Sequence, residues 1–117
     1  CHYMLPSRGQ PRNGLELDGK FGDEAMELFM IELKKHSTAP ASYQVHVYGG
    51  GNMFSERAAS ASDIGRQNIE MAHRLLDEHG FGLTYDHLGS YGHRKIEFDV
   101  WSGEVRLVHV DHRKTGK

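Results

Sequence analysis

The sequence predicts an α/β (α+β) protein of one domain, in which two amphipathic helices pack on β structure. Three observations carry this. Two segments repeat apolar residues every three or four positions, several others repeat them every second position, and short glycine clusters separate the two kinds. At 117 residues, 38% of them hydrophobic and 26% charged, the chain can build one core and is too short for two.

The first helix is predicted from Asp23 to about His36. Ala25, Met26, Leu28, Phe29, Met30 and Leu33 make a broad apolar face that must pack on a sheet. Asp23 and Glu24 in the first turn, and Lys34, Lys35 and His36 in the last, complement the helix dipole at both ends. After Pro40 the period becomes two. Tyr43, Val45 and Val47 alternate with Gln44, His46 and Tyr48, as in a strand with one buried face. It runs into Gly49-Gly50-Gly51-Asn52-Met53-Phe54, read as a flexible turn; no Gly-Lys-Ser/Thr follows, so it is not a phosphate loop.

The second helix is predicted from Ser62 or Asp63, either of which can cap it, to His79. Ile64, Ile69, Ala72, Leu75 and Leu76 form its stripe, and Gly80 stands where a left-handed terminating residue belongs. Asn68 falls on or near the buried side, where an amide needs partners. It reads as a clamp on the glycine loop or, alternatively, as a substrate contact. Beyond it, Leu83 and Tyr85 indicate a short strand and Gly89-Ser90-Tyr91-Gly92 a turn. Ile96, Phe98 and Val100 form an alternating strand, and Trp101-Ser102-Gly103-Glu104 a hairpin connection into a last strand over 105–110. Residues 7–22, with Pro11 and four glycines, read as a surface loop with some mobility, and Asp111 to Lys117 as a frayed tail.

Composition narrows the function. Fourteen basic against sixteen acidic residues leave a formal charge of -2, which gives no field to gather nucleic acid or an anionic membrane. No apolar run approaches the roughly 20 residues that span a bilayer, no signal peptide is seen, and a single cysteine cannot form an internal disulfide, so the expected compartment is the cytoplasm. Nine histidines raise the question of metal. Only His109-Val110-Asp111-His112 is compact, and His73 and His79 face different ways on their helix, so no metal or cofactor is expected.

The chain opens on Cys1-His2-Tyr3-Met4-Leu5-Pro6, with a thiol and an imidazole side by side and no initiator methionine. That run, a Met- and Leu-rich helix, Tyr48-Gly49-Gly50-Gly51-Asn52-Met53-Phe54, Ile64-Gly65-Arg66-Gln67-Asn68, Leu88-Gly89, Arg94-Lys95-Ile96-Glu97-Phe98 and Ser102-Gly103-Glu104-Val105 follow one another in an order that resembles the CheD family of chemoreceptor glutamine deamidases. Arg66 and Gln67 are transposed relative to the commoner Gly-x-Arg-Asn form, and Ser90 replaces a frequent glycine.

The resemblance implies a layered sandwich, a mixed β-sheet with two covering helices, spanning residues 1–117. It implies that His2 is the catalytic histidine, and that the cysteine nucleophile and a threonine lie before it. Cys1 stands where many relatives carry asparagine; on a strand it would face away from His2. The chain is therefore read as lacking its N-terminal part and as inactive by itself. The implied partners are chemoreceptor proteins as substrate and a chemotaxis phosphatase of the CheC kind as regulator. Two other expectations stand beside this one. The first is a non-catalytic chemotaxis module that binds receptor or phosphatase. The second, which no other residue supports, is an N-terminal-nucleophile hydrolase working through Cys1.

Overall fold

The chain folds around the apolar stripe of its second helix. The computed structural model describes residues 1–51 and 59–111, with the backbone alone for 59–63. The elements follow as α1 (Gly22–Lys35), a 3-10 turn (Pro40–Ser42), β1 (Val45–Gly49), α2 (Ala59–His79), β2 (Leu83–Leu88), β3 (His93–Phe98) and β4 (Val105–Val110). The α/β class is as predicted. Its parallel and antiparallel parts form two small sheets: β1 pairs in parallel with β2, and β3 in antiparallel with β4.

Leu75 and Leu76 of α2 meet Met26 of α1, and Val45, Val47, Met30, Met71 and Phe81 close around them. This is how the period-two pattern of β1 works: Val45 and Val47 go to the helices, while His46 and Tyr48 take the opposite face. There His46, Tyr48 and Tyr85 form a ring cluster with centroids 5.6–6.1 Å apart. Burial, and secondarily Tyr85, raises the Tyr48 phenol above its ordinary value.

Several stripes are narrower than their sequence suggests. Leu28 and Phe29 of α1 and Ile64 of α2 are exposed. So are Ile96 and Phe98 of β3, and Val100 lies beyond that strand in the hairpin connection. The helix α2 starts before the predicted caps, whose side chains lie outside the described residues. Its end is as expected: Gly80 adopts φ 79°, and Phe81 N–H returns to the Leu76 carbonyl at 2.9 Å.

The 7–22 segment is anchored. Arg8 grips the buried Glu24 with Nε on Oε2 at 2.9 Å and Nη2 on Oε1 at 2.7 Å, and the Asp18 N–H adds a bond to Oε1 at 3.0 Å. The Arg8 guanidinium also lies 4.6 Å from the centre of the Phe21 ring. Hydrogen bonding to Arg8, opposed by burial, holds the Glu24 carboxyl below its ordinary value. At the other end, Asp111 is buried and so does not belong to a frayed tail; residues 112–117, with His112, lie outside the described residues.

Candidate functional site

The run Tyr3-Met4-Leu5-Pro6 supplies what α1 lacks. No side chain caps that helix at Phe21, so its first N–H groups need other acceptors. The Leu5 carbonyl accepts from Gly22 N–H at 2.8 Å and the Pro6 carbonyl from Asp23 N–H at 3.2 Å. In return the N–H groups of Met4 and Leu5 both donate to the Lys20 carbonyl, at 2.8 and 3.1 Å, and Leu5 bridges Phe21 in parallel.

The helix α2 holds the same run from the other side. Asn68 Nδ2 donates to the Met4 carbonyl at 3.0 Å, and the Tyr3 hydroxyl donates to the Asn68 backbone carbonyl. Burial raises the Tyr3 phenol above its ordinary value, which keeps it in the donor form. Packing is close here: a Cβ on Gly22 would lie 3.2 Å from the Pro6 oxygen and 3.2 Å from the Tyr3 ring. Asn68 is thus a clamp, as one reading of the sequence had it. Among the described residues the segment it clamps is Tyr3–Met4, not the glycine loop.

His2 projects from the free end of this run. It is exposed and, among the described residues, forms no hydrogen bond. Cys1 is exposed too. Residues 1–3 are irregular backbone and not a strand, so side-chain alternation does not separate this thiol from this imidazole.

The glycine loop reaches α2 one turn before Asn68. A Cβ on Gly65 would sit 2.5 Å from the Gly50 carbonyl oxygen, and a Cβ on Gly51 would sit 3.0 Å from that of Gly92. Gly50 and Gly51 are therefore packed between helix and turn, where a flexible turn had been expected; Asn52, Met53 and Phe54 lie outside the described residues. The exits of the two parallel strands are tied by Gly89 N–H on the Gly49 carbonyl at 2.8 Å.

Next to this tie stands a group that sequence reasoning missed. Arg94 of β3 donates from Nε to His87 Nδ1 at 2.9 Å and from Nη2 to the Gly89 carbonyl at 2.7 Å. A guanidinium only donates, so His87 Nδ1 is the acceptor of this bond. Burial lowers the Arg94 guanidinium from its ordinary value. The His87 ring meets His109 edge to face at 5.2 Å, and His109 Nε2 donates to the Tyr91 carbonyl at 2.9 Å. The signal in the sequence was an arginine near the start of a strand, beside histidines of two others. Reading it requires the pairing of β3 with β4, which local periodicity does not encode.

Fold and site together define an α/β protein that presents a histidine from a backbone run held between two helices. Comparison with known proteins gives the family. Residues 4–109 match the family model described as CheD chemotactic sensory transduction, and the chain belongs to that family. His2 stands two residues before the matched span. A Dechloromonas aromatica protein named "Probable chemoreceptor glutamine deamidase CheD 3" is 43% identical over 108 residues, covering 92% of this chain and 63% of the relative. A Pseudomonas syringae pv. tomato protein named "Probable chemoreceptor glutamine deamidase CheD" is 37% identical over 119 residues, covering 100% of this chain and 70% of the relative. A similarly named protein of Thermococcus kodakarensis is 29% identical over 113 residues. The chain spans 63% and 61% of the length of the first two relatives it matches, the second being from Albidiferax ferrireducens. Among the described residues no helix is long and apolar enough to cross a membrane.

Proposed function

We propose that the protein works as a chemoreceptor glutamine deamidase in the cytoplasm, with His2 as its general base and acid. The observation that carries this reading is family membership, together with the name that the relatives share. The geometry supports His2 in the role, since its imidazole is exposed to an incoming side chain while the next two residues are fixed by α2.

In this reading His2 takes the proton of a cysteine thiol, and the thiolate attacks the carboxamide carbon of a receptor glutamine. The carbon–nitrogen bond breaks as His2 returns the proton to the departing ammonia. Water, deprotonated by the same imidazole, then opens the thioester to glutamate and free thiol. An imidazole suits both transfers because its unperturbed pKa lies near neutrality. The attacking thiol is a cysteine other than Cys1, carried by the part of the relatives' length that these 117 residues do not span, so the 117 residues alone are inactive. A chemotaxis phosphatase of the CheC kind is the regulatory partner.

The test is ammonia release from a receptor peptide containing glutamine. In the whole protein, His2→Ala abolishes release and Cys1→Ser leaves it unchanged. Retained turnover in the His2→Ala protein rejects His2 as the base, and turnover by the 117 residues that alkylation of Cys1 stops rejects the separate nucleophile.

A second reading, a binding module for receptor or phosphatase, draws on the β3–β4 connection. Phe98, Val100 and Trp101 are 61%, 87% and 96% exposed there, an apolar tip of the kind that interfaces bury. Binding of a receptor fragment without ammonia release by the whole protein would favour it.

A further inference from the structure

Asn68 is tied to the His2 segment twice, once through its side chain and once through its backbone. The Met4 carbonyl only accepts, so the amide atom facing it at 3.0 Å is Nδ2, and the orientation of the side chain is fixed. Its other atom, Oδ1, is then left buried with no partner among the described residues. A side chain selected only to fill space or stabilise the fold would gain by satisfying that oxygen or by doing without it. The second tie, from the Tyr3 hydroxyl to the Asn68 carbonyl, brackets the Tyr3–Met4 peptide from the other end. Two points fix the direction in which the chain leaves α2, and His2 is the next residue. The backbone hydrogen bonds at the start of α1 and in the residues leading into it begin at the Met4 N–H and run inward to Pro6, and Gly22 packs on the Tyr3 ring, so no hydrogen bond from that side reaches Tyr3 or His2.

We propose that Asn68 is the positioning residue of the His2 imidazole, setting its place through the Met4 carbonyl. The inference rests on the reading of His2 as the base. Asn68 touches neither substrate nor reacting atoms. It acts by narrowing the volume that the imidazole samples, and small displacements of a catalytic group cost rate more than affinity.

The test compares Asn68→Ala with Asn68→Asp. Aspartate keeps the shape of the side chain, but its carboxylate has no N–H to give the Met4 carbonyl. Two readouts are taken. Nuclear relaxation of the His2 Cε1–Hε1 group and amide exchange at Met4 are measured without substrate, and kcat and KM for ammonia release are measured on the whole protein.

Both substitutions are expected to mobilise His2 and to speed exchange at Met4 about tenfold or more, while α1 amides move less than about twofold. Both lower kcat about tenfold or more with KM within about threefold. An Asn68→Asp protein that matches the native one in His2 relaxation and kcat overturns the proposal, because shape alone would then suffice. So does an Asn68→Ala protein with equal losses throughout α1, which is general destabilisation. If the native protein releases no ammonia while the relaxation effects appear, the deamidase reading falls and the clamp on His2 stands. If native turnover is present and both variants keep it, the clamp falls and the deamidase reading stands.

Discussion

Gly65 of α2 backs onto the carbonyl of Gly50 so closely that a methyl group on it would lie 2.5 Å from that oxygen and 3.0 Å from the attached carbon. Both neighbours are backbone and cannot rotate away. In an ordinary helix interior Gly→Ala gains about 1 kcal/mol from propensity. Here overpacking costs about 1–3 kcal/mol, so Gly65→Ala is expected to destabilise the protein by up to about 2 kcal/mol. Gly82→Ala, where a Cβ meets nothing within 4 Å, should be neutral or slightly stabilising. Urea unfolding followed by circular dichroism decides between them; a stabilised Gly65→Ala protein would mean that helix and loop are not packed in this way.

The Arg8–Glu24 pair gives stability a pH signature. Hydrogen bonding to Arg8 lowers the folded Glu24 carboxyl below its ordinary value of 4.5, so the folded state holds the proton less tightly than the unfolded state. The contribution is complete above the ordinary carboxylate range and is lost as pH falls through the lower folded value. Native protein and Glu24→Gln should therefore differ in urea midpoint by a constant amount above roughly pH 5.5 and converge at more acid pH. A gap that widens on acidification would contradict the assignment.

Trp101, the one tryptophan, is 96% exposed, so its fluorescence should barely change on unfolding while the circular dichroism signal collapses. The connection that presents it is ordered by Asp99, whose Oδ1 accepts from the Trp101 N–H at 2.9 Å and the Ser102 N–H at 3.2 Å. Those bonds hold the Asp99 carboxyl below its ordinary value. Replacing Asp99 with Ala should raise the amide exchange of Trp101 and Ser102 without moving that of α2; protection that survives the change would show that the Gly103 N–H on the Asp99 carbonyl suffices.

Much of this architecture is legible in local sequence. The first helix, read as Asp23 to His36, lies within one residue of Gly22–Lys35 at each end, because charge against the helix dipole marks both termini. Gly80 was readable for a similar reason, as only a left-handed residue ends α2 there. What failed depended on how the strands meet. Ile96 and Phe98 are exposed although they alternate as a buried face would, and the Arg94–His87 bond comes from the meeting of two strands that no periodicity relates. At the site, His2 was legible by resemblance and Asn68 as a clamp. The partner of Asn68 was not legible, since Met4 lies 64 residues away.

That separation also dictates an order of assembly. The α1 contacts of the N-terminal run close loops of under roughly 20 residues, whereas the Tyr3–Asn68 bond closes one of 65, at a higher cost in chain entropy. The run is expected to settle on α1 early and wait for α2, so its first residues, Tyr3 and Met4, dock late and are among the first to undock. In kinetic unfolding, the environment of Tyr3 should report a faster phase than Leu75. The segment that carries the imidazole is then less committed to the native state than the Leu75 core, and α2 is its latch.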